Sequence, residues 1–374
     1  MICDTTDINF GSRRQIEQVG PTGNGSGQGF LLHNAMMVDA DTKSILGIAG
    51  QTICYRPKKK HSKKESRAQR LDRPRESQIW SIVIDEIGPA KNDSQYIYVC
   101  DRGADNYEVF CHLVQQKNDW VNRVKEKNRF VLNEQGETVK LQQILNDSPV
   151  RGTYELNLRA RPNQPARTAK IEVRTGSLSM PLTRQSSAGV KALNLAPIAM
   201  NAVWIREPDS PEGVRPLEWM LYTSLAVDTF DQIWEIVEMY ETRWLIEEYH
   251  KALKSGCQVK SRQLKTGPRL EAMVGLMSVA AVRLLEMKQL ALSEPERPAR
   301  TVVPSLWLNI LQAVRKNLHC EEELTIRDFY REVAKLGGFL GRKSDGNPGW
   351  LTVWRGWEKL QTLIRGAELA IQLK

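Results

Sequence analysis

The sequence predicts an α/β protein: a small mixed sheet with helices, interrupted by a strand-rich insertion and closed by a helical region. Three observations carry this. Residues 96–102 form a buried-type apolar strand that runs into Asp101-Arg102. Residues 230–254 are strongly helical, with Asp228 or Thr229 available as the cap. Residues 119–215 lack sustained helical periodicity and are punctuated by Gly and Pro.

Taken in order, the chain opens with a strand ending at Asp4, short for a core sheet, where about 5–6 residues is usual. Two apolar runs, 30–38 and 44–51, flank the hairpin-like turn 39–43. Residues 56–76 then set Arg56, Lys58, Lys59, Lys60, Lys63, Lys64, Arg67, Arg70, Arg73 and Arg75 against Glu65, Asp72 and Glu76. Such a run reads as a flexible electrostatic arm between a strand and the helix near 78–87. A second helix is expected over 106–118. Strands follow at 120–124, 129–132, 152–158, 168–173, 178–182 and 199–205, studded with Arg159, Arg161, Arg167, Lys170, Arg174 and Arg184. A strand over 219–225 returns to the core. The 230–254 helix, a buried helix at 270–290, a linker at 293–298 and helices at 305–316, 326–336 and 350–373 complete the chain.

Composition narrows the function. A length of 374 residues makes two or three structural units the prior, and 41% hydrophobic content can fill real cores. A net charge of +9 and a pI near 9.2 point to an anionic partner. Six cysteines without a CxxC pair predict reduced thiols in a cytoplasmic protein rather than zinc ligands or disulfides. The start lacks the basic and apolar regions of a signal peptide. The longest apolar stretch, 273–282, is too short to cross a bilayer.

The residues with most chemistry lie in the 230–254 helix. Tyr240, Arg243, Glu247, His250 and Lys254 follow at spacings of 3, 4, 3 and 4, one stripe of a helix. A carboxylate flanked by cations on such a stripe has the makings of a metal ligand among phosphate contacts. The plainer reading is a solvated face laced with ion pairs, Arg243–Glu247 among them, worth about 0.3–0.5 kcal/mol each.

The spacing Y-x2-R-x3-E-x6-K and the run R-W-x-I-E-E-x-H-K-A-x-K resemble the YREK motif of bacterial DDE transposases of the insertion-sequence-four family, Tn-five-like members in particular. Further matches follow in chain order. Asp4-Thr5-Thr6 resembles the end of the family's first catalytic strand. Asp101-Arg102 with Gly103-Ala104-Asp105 resembles the end of its second. The segment 216–224 resembles the strand whose Trp holds a flipped base. Leu336-Gly337-Gly338-Phe339 and the Trp350/Trp354/Trp357 segment resemble its C-terminal dimerisation region. The resemblance spans nearly the whole chain.

It implies an RNase H-like core at 1–118 and 216–292, a β-rich insertion at 119–215 and a helical dimerisation region at 293–374. It implies a triad of Asp4, Asp101 and Glu247 holding two Mg²⁺, with Mn²⁺ able to substitute, and cut-and-paste cleavage of DNA through a hairpin intermediate. Glu248 is the competing carboxylate, off the stripe. Tyr240, Arg243 and Lys254 are expected on phosphates and Trp219 on the rotated base. His250, Lys251, Arg123 and Lys125 are further DNA-contact candidates, Arg102 a structural residue and Trp244 a packing residue or a wall of the DNA channel. The implied partners are double-stranded DNA and a second copy of the chain.

Family members carry an end-recognising domain before the first Asp, whereas three residues precede Asp4 here. The expectation is therefore an N-terminally truncated transposase, or one whose start is misassigned. Two rivals are a dimerising inhibitor of intact transposase and a structure-selective nuclease of the same fold, the latter having no need of Trp219 or a dimer tail.

Overall fold

The computed structural model describes residues 1–58, 66, 68–69, 75–160, 165–182, 186, 188–192, 195–315 and 323–373. Lys59, Lys60, Lys63, Lys64, Arg67, Arg70 and Arg73 of the basic run lie outside the described residues, as do Arg161, Arg184 and Cys320.

The first half of the chain runs β1 (Ile2–Asn9), β2 (Gly20–Thr22), β3 (Gly27–Val38), β4 (Ile45–Cys54), α1 (Ile79–Ile87), β5 (Ile97–Cys100), α2 (Tyr107–Gln115) and β6 (Asp119–Arg123). Then come β7 (Phe130–Leu132), β8 (Thr138–Lys140), α3 (Leu141–Asp147), β9 (Val150–Leu158), β10 (Arg167–Met180), α4 (Ala188–Ala192), β11 (Ile198–Arg206) and β12 (Glu218–Thr223). The rest is helical: α5 (Phe230–Thr242), α6 (Trp244–Lys251), α7 (Gly267–Ser293), α8 (Ser305–Val314), α9 (Ile326–Leu336) and α10 (Trp350–Gln372). Two compact units result, one of residues 1–6, 31–43 and 49–246, the other of 7–30, 44–48 and 247–374.

In the first unit the strands run in the order β3-β1-β5-β6-β12-β11-β10-β7-β8, with β4 on β3 and β9 on β10. β1, β5 and β6 are parallel neighbours, in register at Cys3–Cys100 and Val99–Val121. β12, β11 and β10 continue antiparallel, so the strands of the insertion extend the same sheet. A buried cluster that includes Trp80 and Ile84 of α1 and Phe110 and Leu113 of α2 covers Tyr98, Trp120 and Tyr222 of the sheet. Phe110 lies 5.6 Å from the Trp120 ring and 6.2 Å edge-on to Tyr222, geometry that aromatic quadrupoles favour.

Several expectations are corrected. β1 does not end at Asp4 but runs to Asn9, because Thr6 and Ile8 continue its inward alternation. The strands expected at 168–173 and 178–182 are one 14-residue strand. A Cβ at Gly176 would lie 2.6 Å from Ile144 Cγ2, so glycine there gives α3 room against that strand. The helix α3 itself has seven residues, too few for periodicity to register. Two of the cations counted toward an anionic partner are structural instead. Arg167 forms a doubly hydrogen-bonded pair with buried Glu207, and Arg174 donates to the Asn146 and Ser148 carbonyls at 2.7 and 2.8 Å. Arg56 and Arg75, at the ends of the basic run, pair with Glu76 and Glu108, each at 2.7 Å.

The second unit contains the β2–β3 hairpin and helices α7 to α10. A Thr325–Asp328 capping box starts α9, and its last turn meets α10 at two glycines. A Cβ at Gly356 would stand 1.7 Å from the Val333 carbonyl oxygen, and one at Gly337 1.8 Å from the Thr352 oxygen. The Trp cluster fills this local core. Trp354 is buried, Trp357 sits edge-on to Trp307 at 5.2 Å, and the Lys288 ammonium lies 4.6 Å over Trp350. Among the described residues no helix is long and apolar enough to cross a membrane.

Because backbone, not a flexible side chain, opposes a Cβ at 356, Gly356→Ala is expected to destabilise the protein by at least the ~1–3 kcal/mol typical of overpacking. Chemical denaturation with an unchanged m-value would read this loss. A variant as stable as wild type would show that α9 and α10 separate freely.

Candidate active site

The site begins with register. β1 and β5 lie parallel with Cys3 opposite Cys100, so the next residue of each chain is an aspartate. Asp4 remains in its strand and accepts from the Thr5 N–H at 2.7 Å. Asp101 stands where β5 has ended. It caps the 3₁₀ turn Arg102–Ala104, accepting from the Gly103 N–H at 2.7 Å. Both carboxylates are partly exposed, while the cysteines beneath them are buried.

Opposite Asp4 stands the first-unit end of the motif segment. Thr229 and Gln232 form a capping box that starts α5. That helix stops at Thr242, and Arg243 joins it to α6 through a tighter turn, its N–H bonded to the Tyr240 carbonyl at 3.1 Å. The Arg243 guanidinium reaches Asp4 Oδ2 at 3.6 Å, with the two side chains only 15% and 17% exposed. It also lies 5.9 Å over the Tyr240 ring, and Trp219 at the start of β12 meets that ring edge-on at 6.0 Å. Trp219, Tyr240, Arg243 and Asp4 thus form a continuous aromatic-cation-carboxylate series. The solvated-face reading of the stripe fails here, because Tyr240 is buried and Arg243 is engaged with Asp4.

In the second unit Glu247 and Lys254 are half-buried and His250 is buried beside Tyr249. The stripe does not continue in regular helix to Lys254, because residues Ala252–Gly256 form a π turn, its Cys257 N–H bonding the Ala252 carbonyl. Glu248 is placed structurally, accepting Lys251 at 2.8 Å and Lys288 at 2.5 Å. Burial pushes its carboxyl up, yet the two ammonium groups outweigh this and hold it below the usual range.

Asp4 and Asp101 offer hard carboxylate oxygens of the kind Mg²⁺ and Mn²⁺ take, so the donor chemistry fits the ions the fold family implies. Among the described residues no group of three or more His, Cys, Asp or Glu side chains forms a ready metal cluster. Residues 4–283 match the transposase DDE domain, and residues 279–373 match the Tn5 transposase dimerisation domain.

The chain is a member of the DDE transposases. The matched domain of the transposase begins at Asp4, and its mixed sheet with flanking helices is the RNase H-like core.

Of the remaining candidates, Lys125 and Lys251 are exposed and Arg123 is half-buried. Lys125 is held by its own backbone, whose N–H donates to Asp105 at 2.7 Å. Asp105 is buried and paired with Arg129 at 2.6 Å. Burial raises its carboxyl even against that guanidinium. Trp244, expected to pack, is 53% exposed, whereas Arg102 at the turn is exposed as well. Sequence reasoning missed His33, which is hydrogen-bonded to Thr5, and Trp80, which lies against Gly103; a lone His or Trp in an apolar run carries no spacing signal.

The buried Tyr240 hydroxyl has no hydrogen-bond partner among the described residues, and such a group costs about 1–3 kcal/mol. Tyr240→Phe is therefore expected to leave the melting temperature of the transposase unchanged or raise it. A lowered melting temperature would show that the hydroxyl is bonded within the fold.

Proposed function

We propose that this transposase cleaves DNA at the ends of a mobile element and joins those ends to target DNA, through a hairpin intermediate. Asp4, Asp101 and Glu247 are the metal-ligating carboxylates of this reading. The observation that carries it is the pair of aspartates at adjacent parallel strands, with Arg243 of the motif segment at 3.6 Å from one of them.

Asp4, Asp101 and Glu247 would hold divalent cations, Mg²⁺ or Mn²⁺, which when bound would supply Lewis-acid activation of the phosphodiester chemistry. The protein's part is to hold and orient. The Thr5 and Gly103 N–H groups each take one carboxylate oxygen and aim the other. Arg243 presents a planar fork that matches two phosphate oxygens, and Lys254 acts as a point charge. Tyr240, assigned to a phosphate by the motif, is buried here and lies under the Arg243 guanidinium, so its part is to seat that fork. Lys125 and Lys251, exposed, and Arg123 add contacts to the DNA backbone, whereas His250, expected among them, is buried beside Tyr249 and is withdrawn from the DNA-contacting set. Trp219 stacks on the base rotated out of the duplex when the hairpin closes. The C-terminal helices pair two copies so that two ends are processed together, in keeping with the match over 279–373.

Asp101→Ala and Glu247→Ala should each abolish Mg²⁺-dependent nicking of uncut transposon-end duplexes and joining of pre-cut ones, while circular dichroism and melting stay as in wild type. Nicking at the wild-type rate by either variant removes that residue from the triad.

Trp219→Ala should spare the first nick and slow hairpin formation, with a loss of about 1–3 kcal/mol for one stacked base. Equal slowing of every step together with a lower melting temperature would mark Trp219 as a packing residue of Tyr240.

A further inference from the structure

We propose that His33 and Trp80 form a strut beneath Asp4 and Asp101 that fixes the separation of the two carboxylates, an inference that rests on the metal-site reading above. The parallel ladder does this work only up to Cys3–Cys100. β1 continues past Asp4, but β5 has ended, and Asp101 leaves the ladder to cap a 3₁₀ turn. Backbone pairing of the two strands therefore stops one residue short of both carboxylates.

A second connection bridges that gap. The Thr5 N–H holds Asp4 Oδ1 at 2.7 Å, and the Thr5 hydroxyl shares a 2.7 Å hydrogen bond with His33 Nδ1. The His33 ring meets Trp80 edge-on, with centroids 4.4 Å apart. Trp80 in turn abuts Gly103, whose N–H holds Asp101 Oδ1 at 2.7 Å. A Cβ at Gly103 would lie 3.0 Å from Trp80 Cζ2 and 2.9 Å from Asp101 Oδ1, so the turn is pressed onto the indole with no side chain between. His33 is completely buried and Trp80 is 6% exposed, so neither ring has room to retreat. The path Asp4–Thr5–His33–Trp80–Gly103–Asp101 is closed. His33, Thr5 and Trp80 are positioning residues in it. A cation held by both carboxylates would tolerate little drift in the groups that place them.

The test is Mn²⁺ affinity of the full chain, read from the free-ion signal in electron paramagnetic resonance, with a melting curve for each variant. Wild type, Asp101→Ala, Thr5→Val, His33→Leu, the Thr5→Val/His33→Leu pair and Gly103→Ala are compared. Thr5→Val and His33→Leu should each weaken binding ~10–100-fold, the usual effect of losing a group behind a metal ligand. Together they should cost no more than the larger single loss, because both cut the same link. Gly103→Ala should weaken binding from the other end. If His33→Leu fails to fold, Thr5→Val and Gly103→Ala decide. Wild-type affinity in those two variants, with binding lost in Asp101→Ala, overturns the strut and leaves the metal reading intact. No Mn²⁺ binding by wild type, or undiminished binding by Asp101→Ala, overturns the metal reading and the strut with it.

Discussion

Everything at the site depends on the parallel pairing of β1 with β5. Parallel strands side by side put consecutive chain ends at the same edge of the sheet, so one register choice delivers two carboxylates together. The pairing is held from below. Cys3 and Cys100 are both buried, along with Ile2, Tyr98 and Val99, so the paired strands are covered on both faces and held by apolar packing on each. Apolar burial a residue away thus sets where the two carboxylates stand, and Arg243 and two backbone N–H donors engage them.

Much of the fold was legible because it is written in periodicity. The α1, α2, α5, α7, α9 and α10 helices lie where apolar spacing puts them, and Thr229 is the cap of α5 as its capping box suggests. What failed was local. Thr6 and Ile8 extend β1 by alternation, a signal easily overlooked beside the Asp-Thr-Thr match. α3 is too short to show a period, and its packing on Gly176 is a tertiary fact with no local trace. The placement of the two aspartates at neighbouring strand ends was legible from their joint pattern, since neither alone differs from an ordinary capping Asp, whereas the stripe was read as one regular helix and is broken at Arg243 and Ala252. His33 was not legible, because its role comes from Thr5, 28 residues away, and from a ring contact with Trp80.

Charge is the property most easily over-read from this sequence. A net +9 invites the assignment of every cation to DNA, yet the described cations divide by what they touch. Arg167, Arg174, Arg129, Arg56 and Arg75 satisfy carboxylates or carbonyls of the fold itself. Lys288 and Lys251 converge on Glu248. Arg167 shows why this matters energetically: its partner Glu207 is buried and held below the usual carboxylate range by that guanidinium, so removing the arginine would strand a charge inside the sheet rather than bare a DNA contact.

The motif segment illustrates how a conserved-looking spacing can be realised without a regular helix. Between Thr242 and Trp244 the backbone tightens to i→i+3 bonding, and at Ala252–Gly256 it widens to a π turn. A tighter turn advances each residue further around the axis and a wider one less far, so the stripe read from 3.6-residue geometry is re-phased at both ends. The tight turn lies at Arg243, the residue that reaches Asp4 while its neighbour Tyr240 stays buried against Trp219. A uniform helix would keep Tyr240 and Arg243 some sixty degrees apart on its surface, at about 100° per residue. The tightened join closes that angle, since i and i+3 eclipse in such a turn, and it accompanies the stacking of the Arg243 guanidinium 5.9 Å over the Tyr240 ring while its Nη1 reaches Asp4 at 3.6 Å.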